Sequence, residues 1–446
     1  MKVIRLIHDL AFDDLPREVV DQGKRCLLDL LGVAAAGIQT DLSRIARKFA
    51  FSQMGAGGRR ARMLFDGRPA SPTGAAFAGA SSIDAFDAHD GHSLTKGHAG
   101  AALLPALLAL TESETIADGC GFMTSLVLGY EVAIRSGIAL HASVADYHTS
   151  GAWNAIGCAA MAARALGLDP SQTRHALGIA EYNGPRSQML RCIDHPTMVK
   201  DGSGWGAMVG VSAGYLAAEG FTGAPAVTVE AAEHDNLWAD LGARWRILEI
   251  YFKPYPVCRW AQPAMEAAQA LVRQHAISAD DIASIDIETF DYAVRLGGST
   301  PTTTEEAQYA IAFPVAALLA RGQLAAAEIA ADGLSDTRAR AIAARVTLRE
   351  NPDFTRRFPA ERLAQVAIRR RDGSVVASPP TPARGEPNAP LDDEALLAKF
   401  RGLASELTTQ RRTTIEDSIH RLDIDEDALS RLLDAALAPP DFSHLP

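Results

Sequence analysis

The densest run of reactive side chains lies at residues 84–100, Asp84-Ala-Phe-Asp87-Ala-His89-Asp90-Gly91-His92 followed by Lys96-Gly97-His98-Ala-Gly100. Three acids, three histidines and a lysine in so short a stretch can take up and deliver protons near neutral pH, where imidazole and perturbed carboxylates titrate. The run precedes an apolar, helix-forming segment at 101–112, and the free N–H groups and positive end of a helix start suit a carboxylate ligand. The same residues leave a second chemistry open. Asp87, His89, Asp90 and His92 are side chains of the kind that hold a divalent metal, although their spacing follows no standard ligand pattern. A solvated capping loop is the plainest alternative.

Three further clusters follow. Asp146-Tyr147-His148-Thr149-Ser150-Gly151 opens another apolar helix, where Tyr147 or His148 could exchange a proton with a ligand and Thr149 or Ser150 could cap the helix. Arg186 and then Arg191-Cys-Ile-Asp194-His195-Pro-Thr-Met-Val-Lys200-Asp201-Gly202 set a lysine at the head of a Gly- and Ala-rich helical run. An ammonium in apolar surroundings can serve as a base or anchor an anion. Tyr251-Phe-Lys253-Pro-Tyr255-Pro-Val-Cys258-Arg259-Trp260-Ala-Gln262-Pro263 reads as a rigid aromatic loop close to a change in chain character, the position of a cleft between domains.

Positioning these groups falls mainly to helices. Residues 17–37 carry Val19, Val20, Cys26, Leu27, Leu30, Leu31 and Val33 at helical spacing. Segments 101–112, 119–140, 151–166 and 205–219 are predicted helices too, and the last three are apolar enough to belong inside a bundle. From about residue 276 the period changes. Ile285 and Ile287 alternate with Asp286 and Glu288, 345–350 and 364–371 repeat the alternation, and Asp372-Gly373 turns the chain into a further strand. Helical stretches at 306–321 and 334–344 lie between. Residues 379–391 are Pro-rich and read as a linker, and amphipathic helices near 392–404 and 415–437 close the chain. The expected fold is mostly α. A large helical bundle over 1–270 is completed by 392–446, and a smaller α+β domain, 271–391, is inserted between, with the linker at its end.

Composition restricts the partners. The 446 residues include 43 basic and 54 acidic side chains, a net charge of −11 with no basic run, which predicts neither nucleic acid nor an anionic membrane as partner. Uninterrupted apolar runs fall short of the roughly 20 residues of a membrane span. The first residues, MKVIRLIHDLAFDDLP, do not read as a secretory signal, and the five cysteines are odd in number, widely spaced and without a C-x-x-C. A cytoplasmic protein with reduced thiols is expected. Without a G-x-S-x-G elbow, a P-loop or a dinucleotide fingerprint, no nucleotide, flavin or pyridoxal cofactor is expected. Only seven of the basic residues are lysines, and Lys96, Lys200 and Lys253 fall in the clusters above. A net-acidic chain can still build a local cationic pocket for a small anion.

The order and spacing of the clusters resemble the MmgE/PrpD family, which includes 2-methylcitrate dehydratase, cis-aconitate decarboxylase and iminodisuccinate epimerase. The resembling stretches are DAFDAHDGH…GHAGAALLPALLAL, GYEVAIR at 129–135, YHTSGAWNAIGCAAMAARALGLD at 147–169, MVKDGSGWGAMVGVSAGYLAAEGFTG at 198–223 and KPYPVCRWAQP at 253–263. They span nearly the whole chain. The resemblance implies a helical domain closed by the C-terminal helices, an inserted α+β domain, a homodimer, and a cleft site without metal or other cofactor. Carried over residue by residue, the family's acid and histidine motif falls on Asp87, Asp90 and His98, its His-Thr motif on His148 and Thr149, and its helix-opening lysine on Lys200.

Two positions depart from that pattern. Gly91 stands where many relatives have Thr, and Gln262 where many have His. Glutamine cannot transfer a proton as histidine does, which directs the expectation away from decarboxylation and toward an epimerase of the iminodisuccinate type or a divergent dehydratase. The implied chemistry is removal of a proton α to a carboxylate of a small di- or tricarboxylate, followed by elimination or reprotonation, with the substrate carboxylate neutralised by the protein. Lys200, His98, Tyr147, His148 and Asp87 are the candidate catalytic residues, with the order of acid and base among Tyr147, His148 and Lys200 open. Asp90, His92, Lys96, Thr149, Arg191, Arg259 and Gln262 are the candidate substrate contacts. A relative that kept the fold and binds a ligand without turning it over is the non-catalytic alternative.

Overall fold

A computed structural model describes residues 1–114 and 116–440. The predicted helical segments fold as helices, with three more between them: α1 (Arg17–Gly37), α2 (Asp41–Gln53), α3 (Pro72–Asp84), α4 (Gly100–Glu114), α5 (Gly119–Ser143), α6 (Gly151–Ala165), α7 (Pro170–Asn183) and α8 (Ser203–Ala218), of which α2, α3 and α7 are the additions. Their ends are set by short polar side chains. Thr40, Ser71, Asp118 and Asp169 each accept a backbone N–H from the first turn of α2, α3, α5 and α7. α8 packs against α6, α3, α4 and α7, and α6 also lies along α5. Small residues allow these approaches: a Cβ at Gly210 would collide with the backbone oxygen of Ala155. Burying each Leu, Ile or Val of this core contributes roughly 1.5–3 kcal/mol.

α5 corrects the expectation that no segment is long enough to cross a membrane. By length and composition this 25-residue helix is, and its most apolar window is 94% buried inside the protein. Its buried Glu131 and Arg135 pair with each other, and Glu131 also accepts the Ile247 N–H at 3.1 Å.

The change of period after 276 is a change to sheet. One short pairing that sets the site joins two separate regions, β1 (Gly91–His92) and β2 (Ile250–Tyr251), which run antiparallel with Gly91 opposite Tyr251. Farther on, β3 (Ile282–Thr289) runs parallel to β4 (Val346–Glu350) and antiparallel to β5 (Leu363–Arg370), which pairs in turn with β6 (Val375–Ala377) and β7 (Thr381–Pro382). Ile285 and Ile287 of β3 and Val366 and Ile368 of β5 are fully buried, on one face of the sheet against the helix α9 (Gln262–Gln274). Asp372 and Gly373 make the turn, with Gly373 at φ +89°.

Three segments differ from expectation. The stretch 306–321 is two helices, α10 (Thr304–Gln308) and α11 (Ala312–Arg321). Pro314 has no N–H to continue the ladder, and the Gly297 carbonyl takes the N–H groups of Ile311 and Ala312 at 3.0 and 3.2 Å instead. After α12 (Thr337–Ala343) and α13 (Asp393–Leu403), the last expected helix is likewise split, into α14 (Thr409–His420) and α15 (Ala428–Leu437). Lys24 caps the break by donating to the His420 carbonyl at 2.7 Å. The Pro-rich stretch is docked rather than free. Gly385, at φ +93°, sits against Phe252, whose N–H it accepts at 3.0 Å, and Glu386 pairs with Arg259 at 2.8 Å.

The closing helices return to the bundle. α13 packs on α1, and its Lys399 donates to Asp29 Oδ1 at 2.5 Å and to the Ala88 carbonyl at 2.6 Å. The residues beyond 440 lie outside the described ones.

Candidate active site

The acidic loop hangs between α3 and α4 and is fixed from both ends. Asp84, the last residue of α3, accepts the Ser203 N–H at the start of α8 at 3.2 Å, and its other oxygen lies 3.3 Å from His89 Nε2. The β1–β2 pairing then sets the loop beside residues 251–263. Lys253, fully buried, donates to the Asp87 carboxylate and, at 3.0 Å, to the Asp87 carbonyl; its Nζ stands 3.5 Å from His98 Nε2. Burial opposes ionisation of Asp87, but Lys253, with His98 and His89 behind it, outweighs burial and holds the carboxyl well below its ordinary range.

His98 has a defined tautomer. Its Nδ1 lies 2.5 Å from the Asp90 carbonyl, which can only accept, so Nδ1 carries the hydrogen and Nε2 presents a lone pair. Burial and then the Lys253 charge push its pKa well below that of free imidazole. A neutral imidazole whose Nε2 lone pair faces the Lys253 ammonium at 3.5 Å can exchange a proton with it and serve as a general base. Asp87 Oδ1, 3.6 Å from Nε2, is placed to stabilise the imidazolium that forms when His98 takes a proton.

Lys200 approaches from the other side. Its backbone is left-handed, φ +46°, and its side chain is only 2% exposed. Nζ donates to Gln308 Oε1 at 2.5 Å and lies 4.8 Å from the Tyr309 ring centroid. Two cavities meet at Lys200. One, of about 510 Å³, is lined by Thr149, Gln188, Arg191, His195, Lys200 and Trp205 among others, with no carboxylate among its lining residues. The other, of about 520 Å³, is mostly apolar, with Ile45, Phe49, Phe77, Met198 and Trp205, and Asp84 at its edge.

Buried polar links tie these loops together. Asp201, next to Lys200, accepts the Ser150 N–H at 3.0 Å and the Ser150 hydroxyl, and Ser150 Oγ accepts the His98 N–H at 2.9 Å. Asp201 thereby caps α6 in place of the Thr149 or Ser150 side chain. Its carboxyl is raised by burial and by Asp84. Asp90 accepts the Tyr130 hydroxyl, while its Oδ1 has no partner among the described residues; burial, opposed by that hydrogen bond, brings its pKa up to about 7.

The other sequence-predicted residues fall as follows. His92 is held by Glu249 at 3.0 Å and accepts the Thr95 N–H at 3.4 Å. With Asp90 turned to Tyr130, the set Asp87, His89, Asp90 and His92 is therefore not assembled as a metal site. Asp87, His89 and His98 do offer ligand atoms within 4.8 Å of one another. There, however, the Lys253 ammonium already donates to the Asp87 carboxylate and stands 3.5 Å from His98 Nε2.

The Tyr147 hydroxyl is committed to the Lys96 carbonyl, and burial pushes the phenol well above its usual range, so it is not a free proton donor in this arrangement. Lys96 is half-buried, its Nζ 5.0 Å from the Tyr147 ring centroid. His148 is half-buried and reaches His141 Nε2 through its backbone N–H at 3.2 Å; its Nδ1 is buried without a partner among the described residues. Thr149 donates to the Pro185 carbonyl at 3.3 Å at the cavity wall, and Arg191 is exposed at its rim.

Arg259 is not free for a substrate. It donates to Glu386 at 2.8 Å, to the Arg384 carbonyl at 2.8 Å and to Gln262 Oε1 at 3.3 Å. Gln262 in turn pins the carbonyls of Tyr255 and Val257, both at 3.0 Å. Gln308 and Tyr309 are not singled out in the sequence, because the groups they touch lie on loops far along the chain. Lys253 lies in the fourth cluster of the sequence, without an assigned role there.

Comparison with known proteins adds the family. Residues 2–235 match the MmgE/PrpD N-terminal domain, and residues 255–423 match the MmgE/PrpD C-terminal domain. The chain is 24% identical to a cis-aconitate decarboxylase of Aspergillus terreus over 97% of its own length and 95% of the relative's. It is 25% identical to the cis-aconitate decarboxylases of Homo sapiens, over 99% and 95%, and of Mus musculus, over 99% and 94%.

Proposed function

The chain belongs to the MmgE/PrpD family, and from that premise we propose that it is a lyase acting on a small di- or tricarboxylate by proton transfer at a carbon α to a carboxylate. The observation that carries this is Lys200. A buried ammonium held by a neutral amide, at the wall of a cavity of about 510 Å³ that no lining carboxylate faces, is a site for a substrate carboxylate. Arg191 and His195 on the same wall suit a second carboxylate.

His98 is the general base. Its Nε2 takes the α proton, Asp87 at 3.6 Å stabilises the imidazolium, and Lys253 at 3.5 Å is the ammonium through which a proton is exchanged. Neutralising the carboxylate at Lys200 lowers the cost of the enolate-like state that follows. Asp90, through its backbone carbonyl, and Asp201, through Ser150, hold His98 in place. The cis-aconitate decarboxylases that the chain is similar to support a lyase, and cis-aconitate is the first substrate to try; the epimerase outcome of the same proton step finds no separate support among them. A homodimer is part of the proposal: Ile45, Phe49, Met198, Val199 and Trp205, each 42–70% exposed, form an apolar face beside Lys200 that a second copy would cover.

The test is proton NMR in D₂O with cis-aconitate, citrate and 2-methylcitrate. Turnover or solvent deuterium entering at the α position, lost in Lys200→Met and His98→Gln, is the expected result. Neither turnover nor exchange with any di- or tricarboxylate would remove the proposal.

A further inference from the structure

Gln308 belongs to α10, more than a hundred residues from the acidic loop and from Lys200, and it is fully buried. Its amide orientation is fixed by what surrounds it. Nε2 donates to the Ala85 carbonyl at 3.0 Å and to Thr304 Oγ1 at 2.9 Å. The carbonyl can only accept, so the nitrogen must lie on that side and Oε1 on the other. Oε1 accepts two hydrogen bonds, from the Asp87 N–H at 2.8 Å and from Lys200 Nζ at 2.5 Å. The Gln308 backbone carbonyl accepts the Cys258 N–H at 2.9 Å, in the loop that carries Lys253. One side chain and its own carbonyl thus join three segments: the acidic loop, the Lys200 loop and the 251–263 loop.

We propose that Gln308 is a positioning residue that holds Lys200 toward the substrate cavity without neutralising its charge. This rests on the reading of Lys200 as a carboxylate anchor. The choice of amide over acid is the point. A carboxylate here would form an internal ion pair with Lys200 and compete with the substrate for it, whereas an amide oxygen orients the ammonium and leaves its charge available. The other groups near Lys200 have their own partners. Tyr309 offers a ring face, the Cys192 thiol is raised to about 12 by burial and stays neutral, the Asp87 carboxylate that shares its field is already paired with Lys253, Asp84 is held by Ser203 and His89, and Asp201 by Ser150.

The test uses the full-length protein with ¹³Cε-labelled lysine. Seven lysines give seven signals, and the Lys200 signal is the one missing in Lys200→Met. Three variants, Gln308→Glu, Gln308→Leu and Lys200→Met, are titrated by NMR, and citrate and cis-aconitate binding is measured by calorimetry. In Gln308→Glu the Lys200 titration is expected to move up by about one pH unit or more, and tricarboxylate affinity to fall about tenfold or more, beyond what the thermal destabilisation from the lost bond to the Ala85 carbonyl accounts for. Gln308→Leu, which adds no charge, weakens binding without raising the Lys200 titration. The inference is overturned if Gln308→Glu leaves the Lys200 titration unmoved, or if both variants lose affinity only in step with thermal stability. Equal binding by wild type and Lys200→Met would instead remove the anchor reading, and the titration still decides the role of Gln308.

Discussion

Lys253 and Asp87 form an ion pair that is sealed from solvent, and the same ammonium also takes the backbone carbonyl of its partner at 3.0 Å. A buried charge that loses its partner costs far more than the pair contributes. Lys253→Met is therefore expected to destabilise the protein by about 3–5 kcal/mol. Lys253→Met with Asp87→Asn should cost less than Lys253→Met alone, because the second change removes the stranded charge. Denaturant unfolding of the single and double variants measures this coupling directly.

The same ammonium has a consequence for metals. Because Lys253 already pairs with Asp87, one of the three side chains that could hold an ion, activity on a tricarboxylate is expected to survive prolonged chelation and dialysis at its starting level. Activity that falls with chelator and returns with one divalent ion would show that a metal displaces Lys253.

His98→Gln keeps a similar shape and loses the base, so kcat/KM should fall by about 10²–10⁴-fold. Since His98 titrates well below free imidazole, wild-type kcat/KM should stay level as pH is lowered through 6.5 and fall only in more acid solution. A pH profile with a break near the ordinary imidazole value would assign the base elsewhere.

Asp90 makes stability depend on pH in a defined direction. Its pKa, about 7 in the fold against 3.8 when free, means that the native state keeps a proton the unfolded chain has already lost. Its contribution is fully present below about pH 4 and is lost progressively as pH rises to about 7. Glu131, also brought up to about 7 by burial, acts in the same sense. Asp90→Asn, neutral at every pH, should flatten this part of the thermal midpoint's fall between pH 5 and 8. An unchanged slope would show that Asp90 is ionised in the fold.

Gly91→Ala probes how the acidic loop is seated. A Cβ at this position would collide with the Tyr251 ring across the β1–β2 pair, so one methyl group should destabilise by about 1–3 kcal/mol, the range for overpacking. Thermal unfolding of Gly91→Ala measures it.

These residues show how far the sequence is legible. Asp87, His98 and Lys200 stand out because reactive side chains crowd into short stretches between apolar helices, and the structure brings Asp87 and His98 together and sets Lys200 at the cavity. Arg259 and Tyr147 looked equally reactive, yet Glu386 and the Lys96 carbonyl use their donors, and both partners are fixed by tertiary contacts that no local pattern encodes. Gly91 read as a departure from a family pattern; in the fold it is the space that the Tyr251 ring fills. Helix periodicity located α1, α4, α5, α6 and α8 closely and left α2, α3 and α7 unmarked; it also ran through the break at Tyr309-Ala310-Ile311, because the capping carbonyl of Gly297 comes from a separate turn. Gln308, just before that break, was invisible for the same reason.

The most direct test of the account is proton NMR of cis-aconitate with the wild-type protein in D₂O, beside Lys200→Met and His98→Gln. The account predicts deuterium at the α carbon of substrate or product with wild type, and a loss of about 10²-fold or more in each variant. Deuterium incorporation that proceeds at the wild-type rate in both variants would contradict it.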